Sequence, residues 1–483
     1  MTPAKKLNLA DAALIVTSGM IGSGIFIVSA DMSRALGGPG WLLLAWVISG
    51  VMTVFAALSY GELAGMYPEA GGQYVYLKEA FNPLIGFLYG WTIFLVVQTG
   101  TLAAVAVAFA KFTGVLIPAF NENNILLQLG SFKLSAAQVV GIASLFVLTV
   151  INARGIQYGK IINRVFTSTK LLALFGLIVL GILIFGSAAV WQQNLAHFWD
   201  FSKYSKQTDG SWLNQSLTYT GLISAIGVAM VGSLFSSDAW NNVTFIAGDI
   251  DNPKKNIPLS LAIGTIIVTV LYLLANVAYL KLLPFWGNPN ATDVMGQGLQ
   301  FAANDRVGTA AATMIFGSTA TIIMALLIMV STFGCNNGIT LASVRVYQAM
   351  AKDGLFFDKM KNDNKNGVPG FALWVQFIWA ALLCLSGKYG DLLDYIMFAV
   401  VLFYILTIIG LFRLRKTKPN VARPYKAFGY PVVPAIYLIL ATYFCLNLLY
   451  MKPLYSYPGL IIVVLGIPVY YFWKRNTTLP TAN

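Results

Sequence analysis

Apolar stretches of about 20 residues recur twelve times along the chain, and a segment of that length shields its backbone from hydrocarbon only as a helix. They cover approximately residues 9–35, 41–66, 83–110, 135–152, 163–187, 218–247, 259–283, 308–335, 370–387, 391–414, 432–450 and 455–473. The fold class read from them is an all-α integral membrane protein with twelve transmembrane helices. With 58% of the 483 residues apolar, only 10% charged and a mean hydropathy of +0.72, a soluble multidomain chain is excluded.

The net charge of +13 raises the question of nucleic acid. No basic run is interleaved with aromatic residues, so that partner is set aside, and the loops account for the charge instead. An even number of spans places both termini on one side. Lys5, Lys6, Arg154, Arg164 and the run from Arg413 to Lys426 fall on that same side, which the positive-inside bias identifies as cytoplasmic. The apolar stretch after Lys6 is too long for a cleavable signal and is expected to be the first span. Cys335, Cys384 and Cys445 all lie within apolar segments, so neither a disulfide framework nor a metal cluster is expected. The single histidine, His197, reads as a surface residue of a polar loop. No cofactor is called for.

Within the first span, Gly19, Gly22 and Gly24 stand inside Gly19-Met20-Ile21-Gly22-Ser23-Gly24-Ile25-Phe26. Each glycine costs about 1 kcal/mol of helix stability relative to alanine, and together they predict a break at mid-membrane. A second break is predicted in span six, where Gly232-Ser233-Leu234-Phe235-Ser236-Ser237-Asp238-Ala239-Trp240-Asn241-Asn242 crowds polar groups into an apolar helix. Interrupted helices at corresponding positions of two halves point to an inverted-repeat transporter. On that reading the chain is one transmembrane domain with a first repeat over about 9–187, a second over about 218–414 and two extra C-terminal helices over about 432–473.

A broken helix supplies groups for both ends of a zwitterion. The amides of Ser23, Gly24 and Ile25 begin the second half of helix one and suit a carboxylate. Free carbonyls near Met20 and Ile21, and near Phe235, Ser236 and Asp238, suit an ammonium, with Gly22 and Ser237 completing the two gaps. The competing reading is a glycine-lined crossing that only packs helices closely. Lys170 lies inside span five, where an ionisable residue faces a cavity or a partner, or else snorkels. As a cationic strut joining helices five, one and eight it would form a coupling group with Gly22, Ser331 and Thr332, the last two as acceptors. In helix eight the polar stretch Ser331 to Gly338 also offers Asn336 and Asn337, which either face the site or tie helices together. Glu62, near the cytoplasmic end of helix two, reads as an inner-gate residue or as a snorkelled glutamate. Asp238 is expected to cap the following half-helix in a network with Asn241 or Asn242. Its carboxylate also leaves open a cationic substrate.

In these pieces the chain resembles the amino acid-polyamine-organocation (APC) superfamily, most closely its L-type amino acid transporter-like and bacterial amino acid permease branches. The matching residues are Gly22-Ser23-Gly24-Ile25-Phe26, Tyr60-Gly61-Glu62-Leu63, Pro68-Glu69-Ala70-Gly71-Gly72, Phe235-Ser236-Ser237-Asp238-Ala239-Trp240, Asn252-Pro253 with Ile257-Pro258, Ala349 to Leu355, and Arg423-Pro424-Tyr425-Lys426 with Gly429-Tyr430-Pro431. The resemblance implies a LeuT-type fold of five plus five inverted helices, with helices one and six unwound, working by alternating access. It implies that the amides of Ser23, Gly24 and Ile25 hold a substrate carboxylate while carbonyls of Met20, Phe235 and Asp238 take the amino group. Lys170 falls where a lysine replaces the second sodium ion of sodium-coupled relatives, which implies sodium-independent exchange or proton coupling.

The function expected is therefore secondary transport of L-amino acids, neutral ones first. A cationic amino acid or polyamine carrier is the alternative, and an amino acid-binding membrane sensor a distant one. An enzyme is not expected, since the spans lack a His, Cys or paired-carboxylate constellation. Residues 111–134 contain no cysteine of the kind that joins animal light chains to a heavy subunit, so no disulfide-linked partner is expected. The partners expected are the amino acid and the lipid bilayer, with the protein a monomer or weak homo-oligomer in the inner membrane of a bacterium.

Overall fold

The computed structural model describes residues 6–130, 132–386 and 389–476; Lys5 lies outside them. Helix α1 (Leu9–Met20) opens on a reciprocal capping box between Asn8 and Asp11 and stops where Ile21 turns extended. A short 3-10 turn over Gly24–Phe26 follows, then α2 (Val28–Leu36), which ends on Gly37 at φ 76°. The first apolar stretch is thus two helices joined by a glycine-marked break.

The segments that follow are α3 (Pro39–Met66), with proline in its first turn, and the short, largely buried α4 (Gln73–Ala80). Next, α5 (Pro83–Thr92) runs through a π turn over Ile93–Val97 into α6 (Gln98–Leu116). Helices α7 (Ala136–Ala153), α8 (Ile156–Val179) and α9 (Ala188–Ala196) complete the first half of the chain. In the second half, α10 (Tyr219–Ser236) is interrupted before the single turn of α11 (Asn242–Phe245), and α12 (Pro253–Leu282) follows. The turn α13 (Val294–Gln297) precedes α14 (Val307–Phe316) and α15 (Ala320–Lys352). The chain closes with α16 (Gly370–Ser386), α17 (Tyr389–Thr417), α18 (Val432–Met451) and α19 (Pro453–Asn476).

Among the described residues, ten helical stretches are long and apolar enough to cross a membrane, and α1 and α16 are shorter apolar helices. Outward-facing side chains such as Leu172, Leu183, Ile439, Leu454 and Phe472 are more than half exposed, whereas Ser18, Glu62, Gln73, Thr99 and Ser331 are buried. Apolar outside and polar inside is the arrangement that hydrocarbon imposes.

Two features differ from the purely helical expectation. The loop over 111–134 carries a hairpin of β1 (Ile125–Leu129) and β2 (Phe132–Ser135), and that over 188–217 a hairpin of β3 (Ser202–Lys206) and β4 (Trp212–Ser216). Each turns near a positive-φ glycine, Gly130 or Gly210, which lets strands pair that are too short to span. Helix α15 also runs well past residue 335. Its polar stretch stays helical because Thr332 and Ser343 return their hydroxyls to the preceding turn, while Asn336 and Asn337 bond to neighbouring helices.

Candidate functional site

A helix end leaves its last carbonyls without intrahelical donors, and the end of α1 lies deep in the protein, where water does not serve. Side chains from three other helices take these carbonyls instead. Lys170 of α8, 1% exposed, donates to the carbonyls of Ser18 at 2.7 Å and Ile21 at 2.6 Å. Ser331 of α15 donates to Ile21 at 3.1 Å and Gly22 at 3.2 Å, and Cys335 donates its thiol to Gly19 at 3.3 Å. Tyr272 of α12 donates to Met20 at 2.9 Å and stands 3.0 Å from the carbonyl of Ser236, so that one hydroxyl meets both helix breaks.

The second break follows Ser236. The amide of Ser237 bonds back to Ser233 and Leu234, that of Asp238 bonds to the carbonyl of Phe235, and Ala239 takes φ 63° before the chain resumes as α11. The Asp238 carboxylate does not cap α11, whose cap position is held by Asn241 without a side-chain bond. It accepts the hydroxyl of Tyr404 of α17 at 2.6 Å. The expected network with Asn241 and Asn242 is replaced by longer-range pairs. Asn241 donates to Gln73 of α4 and Gln98 of α6 donates to Asn242, both buried. Ser237, Asp238, Trp240 and Tyr404 line a small cavity with Tyr437 and Thr53.

The two breaks abut. A methyl group added at Gly24 would run into the side chain of Ser236, and one at Gly19 would sit 2.9 Å from the carbonyl of Ala239. Glycine at these two positions is therefore required by packing as well as by the break. Ser23 and Ile25 are buried with them, and the 3-10 turn begins there, so the amides of Gly24 and Ile25 occupy the first turn, where a helix offers donors. Met20, Ile21, Gly22, Ser23, Gly24, Ile25, Phe235, Ser236 and Asp238 thus form one neighbourhood, edged by Lys170 and Ser331.

Two expected members, Thr332 and Asn337, lie elsewhere. Thr332 faces its own helix, donating to Ile328 and Met329, since helical back-bonding satisfies its hydroxyl. Asn337 is two turns further along α15, held between the carbonyl of Gly159 and the amide group of Asn152. Glu62, expected near the cytoplasmic end of helix two as a gate residue or a snorkelled one, is not snorkelled. It is fully buried, accepting two bonds from Arg415, one from Arg423 at 3.1 Å and one from the Ala427 amide at 2.7 Å. It clasps α3 to the end of α17 and to the segment between α17 and α18. The residues that sequence reasoning did not single out are Tyr272 and Tyr404. A tyrosine hydroxyl in mid-span is the signal they carry, since a buried phenol seeks a partner.

The amino acid permease family profile matches residues 7–471. The chain is 28% identical to the large neutral amino acids transporter small subunit 2 of Homo sapiens, over 98% of this chain and 81% of that one. It is 26% identical to the b(0,+)-type amino acid transporter 1 of Mus musculus, over 99% and 91%. The serine/threonine exchanger SteT of Bacillus subtilis (strain 168) is 27% identical, over 98% of this chain and 97% of that one.

Proposed function

Because the chain belongs to the amino acid permease family of the APC superfamily, and is thus a membrane transporter of amino acids and not an enzyme, we propose that it moves neutral L-amino acids by sodium-independent exchange or with protons, through alternating access. The fold we assign is a LeuT-type arrangement of two inverted five-helix repeats, about 9–187 and 218–414, followed by two further helices over about 432–473. The observation that supports this reading best is the abutment of two helix breaks at Gly24 and Ser236, with the Lys170 ammonium on the carbonyls of Ser18 and Ile21. Substrate binds there by its common part. The amides of Ser23, Gly24 and Ile25 receive the carboxylate, and carbonyls at Met20, Ile21, Phe235 and Asp238 receive the ammonium, exchanging present donors such as Tyr272 for the substrate's. Lys170, with Gly22 and Ser331, occupies the place of a coupling cation and transmits occupancy of the break to α8 and α15. Ser236 and Ser237 narrow the side-chain end.

The protein is assigned to a bacterial inner membrane with both termini cytoplasmic, as a monomer or weak homo-oligomer. The serine/threonine exchanger of Bacillus subtilis, matched almost end to end, supports that placement. So does the absence of cysteine from residues 111–134, which favours a chain without a disulfide-linked subunit. The test is uptake of a labelled amino acid panel into proteoliposomes with and without internal amino acid and with sodium replaced. Saturable uptake accelerated by internal amino acid and indifferent to sodium is expected; no saturable uptake of any member refutes the proposal.

A second reading rests on Asp238, a buried carboxylate beside a small cavity with Tyr404 as its partner. It makes the protein a carrier of cationic amino acids or polyamines. Competition by arginine or putrescine that disappears in Asp238→Asn would select it over the neutral reading. A sensor would bind amino acids without counterflow.

A further inference from the structure

On the N-terminal side of the first break, α1, α8 and α15 line a second, partly open cavity of about 30 Å³ that takes no part in the site above. Its wall carries an ion pair at 2.8 Å between Asp11 of α1, whose side chain is 4% exposed, and Arg164 of α8, whose side chain is 58% exposed. Asn163 and Asn337 lie beside the pair. Asn163 is 8% exposed, yet among the described residues its Oδ1 has no hydrogen-bond partner, which a buried amide oxygen rarely lacks. The rest of the lining is apolar, from Leu14, Ile246 and Leu341. Leu7 completes the wall, held by paired backbone bonds with Asp249 and Asp251.

A carboxylate, a guanidinium, an unpartnered amide oxygen and an apolar wall form the complement of a neutral zwitterion. We propose that this cavity is a second binding site for the transported amino acid, on the path between the helix breaks and the face that carries the N-terminus. The ligand inserts between Asp11 and Arg164. Its ammonium replaces the guanidinium against the Asp11 carboxylate and donates to Asn163 Oδ1, its carboxylate pairs with the outward-turned Arg164, and its side chain lies on Leu14 and Leu341. Every charge keeps an opposite partner throughout, so the exchange avoids the desolvated, unpaired ion that makes breaking a buried pair costly. Arg164 is free to swing because it is the exposed member, while Asp11 is fixed by the capping box with Asn8. The proposal rests on the reading of the protein as an amino acid carrier.

Two measurements test it. In oriented proteoliposomes, Arg164→Gln removes one charge-assisted contact to the ligand and is expected to raise KM for L-alanine, L-serine or L-leucine by about tenfold from the N-terminal face, with KM from the opposite face nearly constant. Equal changes on both faces, or none, overturn the proposal and leave Arg164 a structural partner of Asp11. The second measurement needs no transport. In a Leu341→Cys variant, the same three amino acids should slow modification by an impermeant maleimide, and should still do so when Gly24→Val fills the gap against Ser236. Protection that vanishes with Gly24→Val, or is absent from the start, overturns the second site. Protection without uptake by the wild type would instead overturn the carrier reading while upholding the cavity as a site.

Discussion

The Lys170 ammonium lies 2.6 Å from the Ile21 carbonyl, the last backbone acceptor before the chain leaves α1. With Ser18 as a second acceptor, one cation holds the broken end of helix one against α8. Hydrogen bonds to a charged group contribute about 1.5–3 kcal/mol each, and Ser331 retains a bond to Ile21 if the lysine is removed. Lys170→Ala is therefore expected to remain folded but to lower the exchange rate by at least about tenfold, the equivalent of 1.4 kcal/mol. A double-mutant cycle with Ser331→Ala checks the coupling. Because both residues bond to the Ile21 carbonyl, the combined loss should differ from the sum of the single losses. Additive effects with unchanged exchange at every pH would leave Lys170 without a transport role.

Tyr272 links the two breaks through one hydroxyl, and its ring packs edge-on against Trp46 at 5.4 Å between centroids. Tyr272→Phe keeps the ring contact and deletes only the donor. The Met20 carbonyl then loses one of its donors and the Ser236 carbonyl its polar neighbour, a cost of about 1–3 kcal/mol. Thermal unfolding of the ligand-free protein should show that loss. Added substrate should recover part of it, since its ammonium supplies donors to the same gap. A melting temperature equal to the wild type's would show that the hydroxyl ties nothing together.

How much of this was legible in the chain depended on the range of the forces involved. The breaks were legible because glycine spacing at Gly19, Gly22 and Gly24 and the polar run from Ser233 to Asn242 are local in sequence, and helix propensity acts locally. Lys170 was legible because a charge in an apolar span is costly wherever it points. The partners were not. Tyr272 meets a carbonyl 252 positions away, and Tyr404 meets Asp238 across 166, distances at which only the packed bundle decides who is adjacent. Asp238 reads as a local cap for the same reason: short-range rules know nothing of a phenol on α17. Glu62 reads equally as gate or snorkelled residue because its arginines, Arg415 and Arg423, look from sequence like orientation charges. The hairpin strands in the outer loops are four or five residues long, below the length at which alternation is distinct from loop composition.

Close approach at the breaks makes a steric test available. A methyl group on Gly24 collides with Ser236, whereas one on Gly22 would meet Cys335 Sγ at 3.7 Å, an ordinary contact. Overpacking costs about 1–3 kcal/mol. Gly24→Ala is therefore expected to reduce uptake by about tenfold to a hundredfold, and Gly22→Ala to reduce it much less. Ser236→Gly in the Gly24→Ala background removes the colliding atoms and should restore a large part of the loss. Rescue of that kind separates crowding from a need for glycine's backbone freedom, which a second substitution would not supply.

Glu62 invites the opposite outcome from a gate. Its carboxylate is fully buried and takes four bonds, from two arginines and the Ala427 amide. Removing one partner of a buried ionic cluster leaves the others desolvated and unpaired, at a cost of about 3–5 kcal/mol. Arg415 is held in addition by the ring of Tyr430, 3.6 Å from its guanidinium carbon to the centroid, so it cannot readily turn to water. Glu62→Ala is accordingly expected to lower the unfolding midpoint sharply. The Glu62→Ala, Arg415→Met, Arg423→Met triple variant, which removes the stranded cations too, should recover much of it. At a temperature where the single variant is still folded, its KM should lie close to the wild-type value, because the clasp joins α3 to the end of α17 and the chain after it, and none of its bonds involves Gly24 or Ser236. Sharply altered KM with an unchanged midpoint would move Glu62 from the scaffold to the transport path.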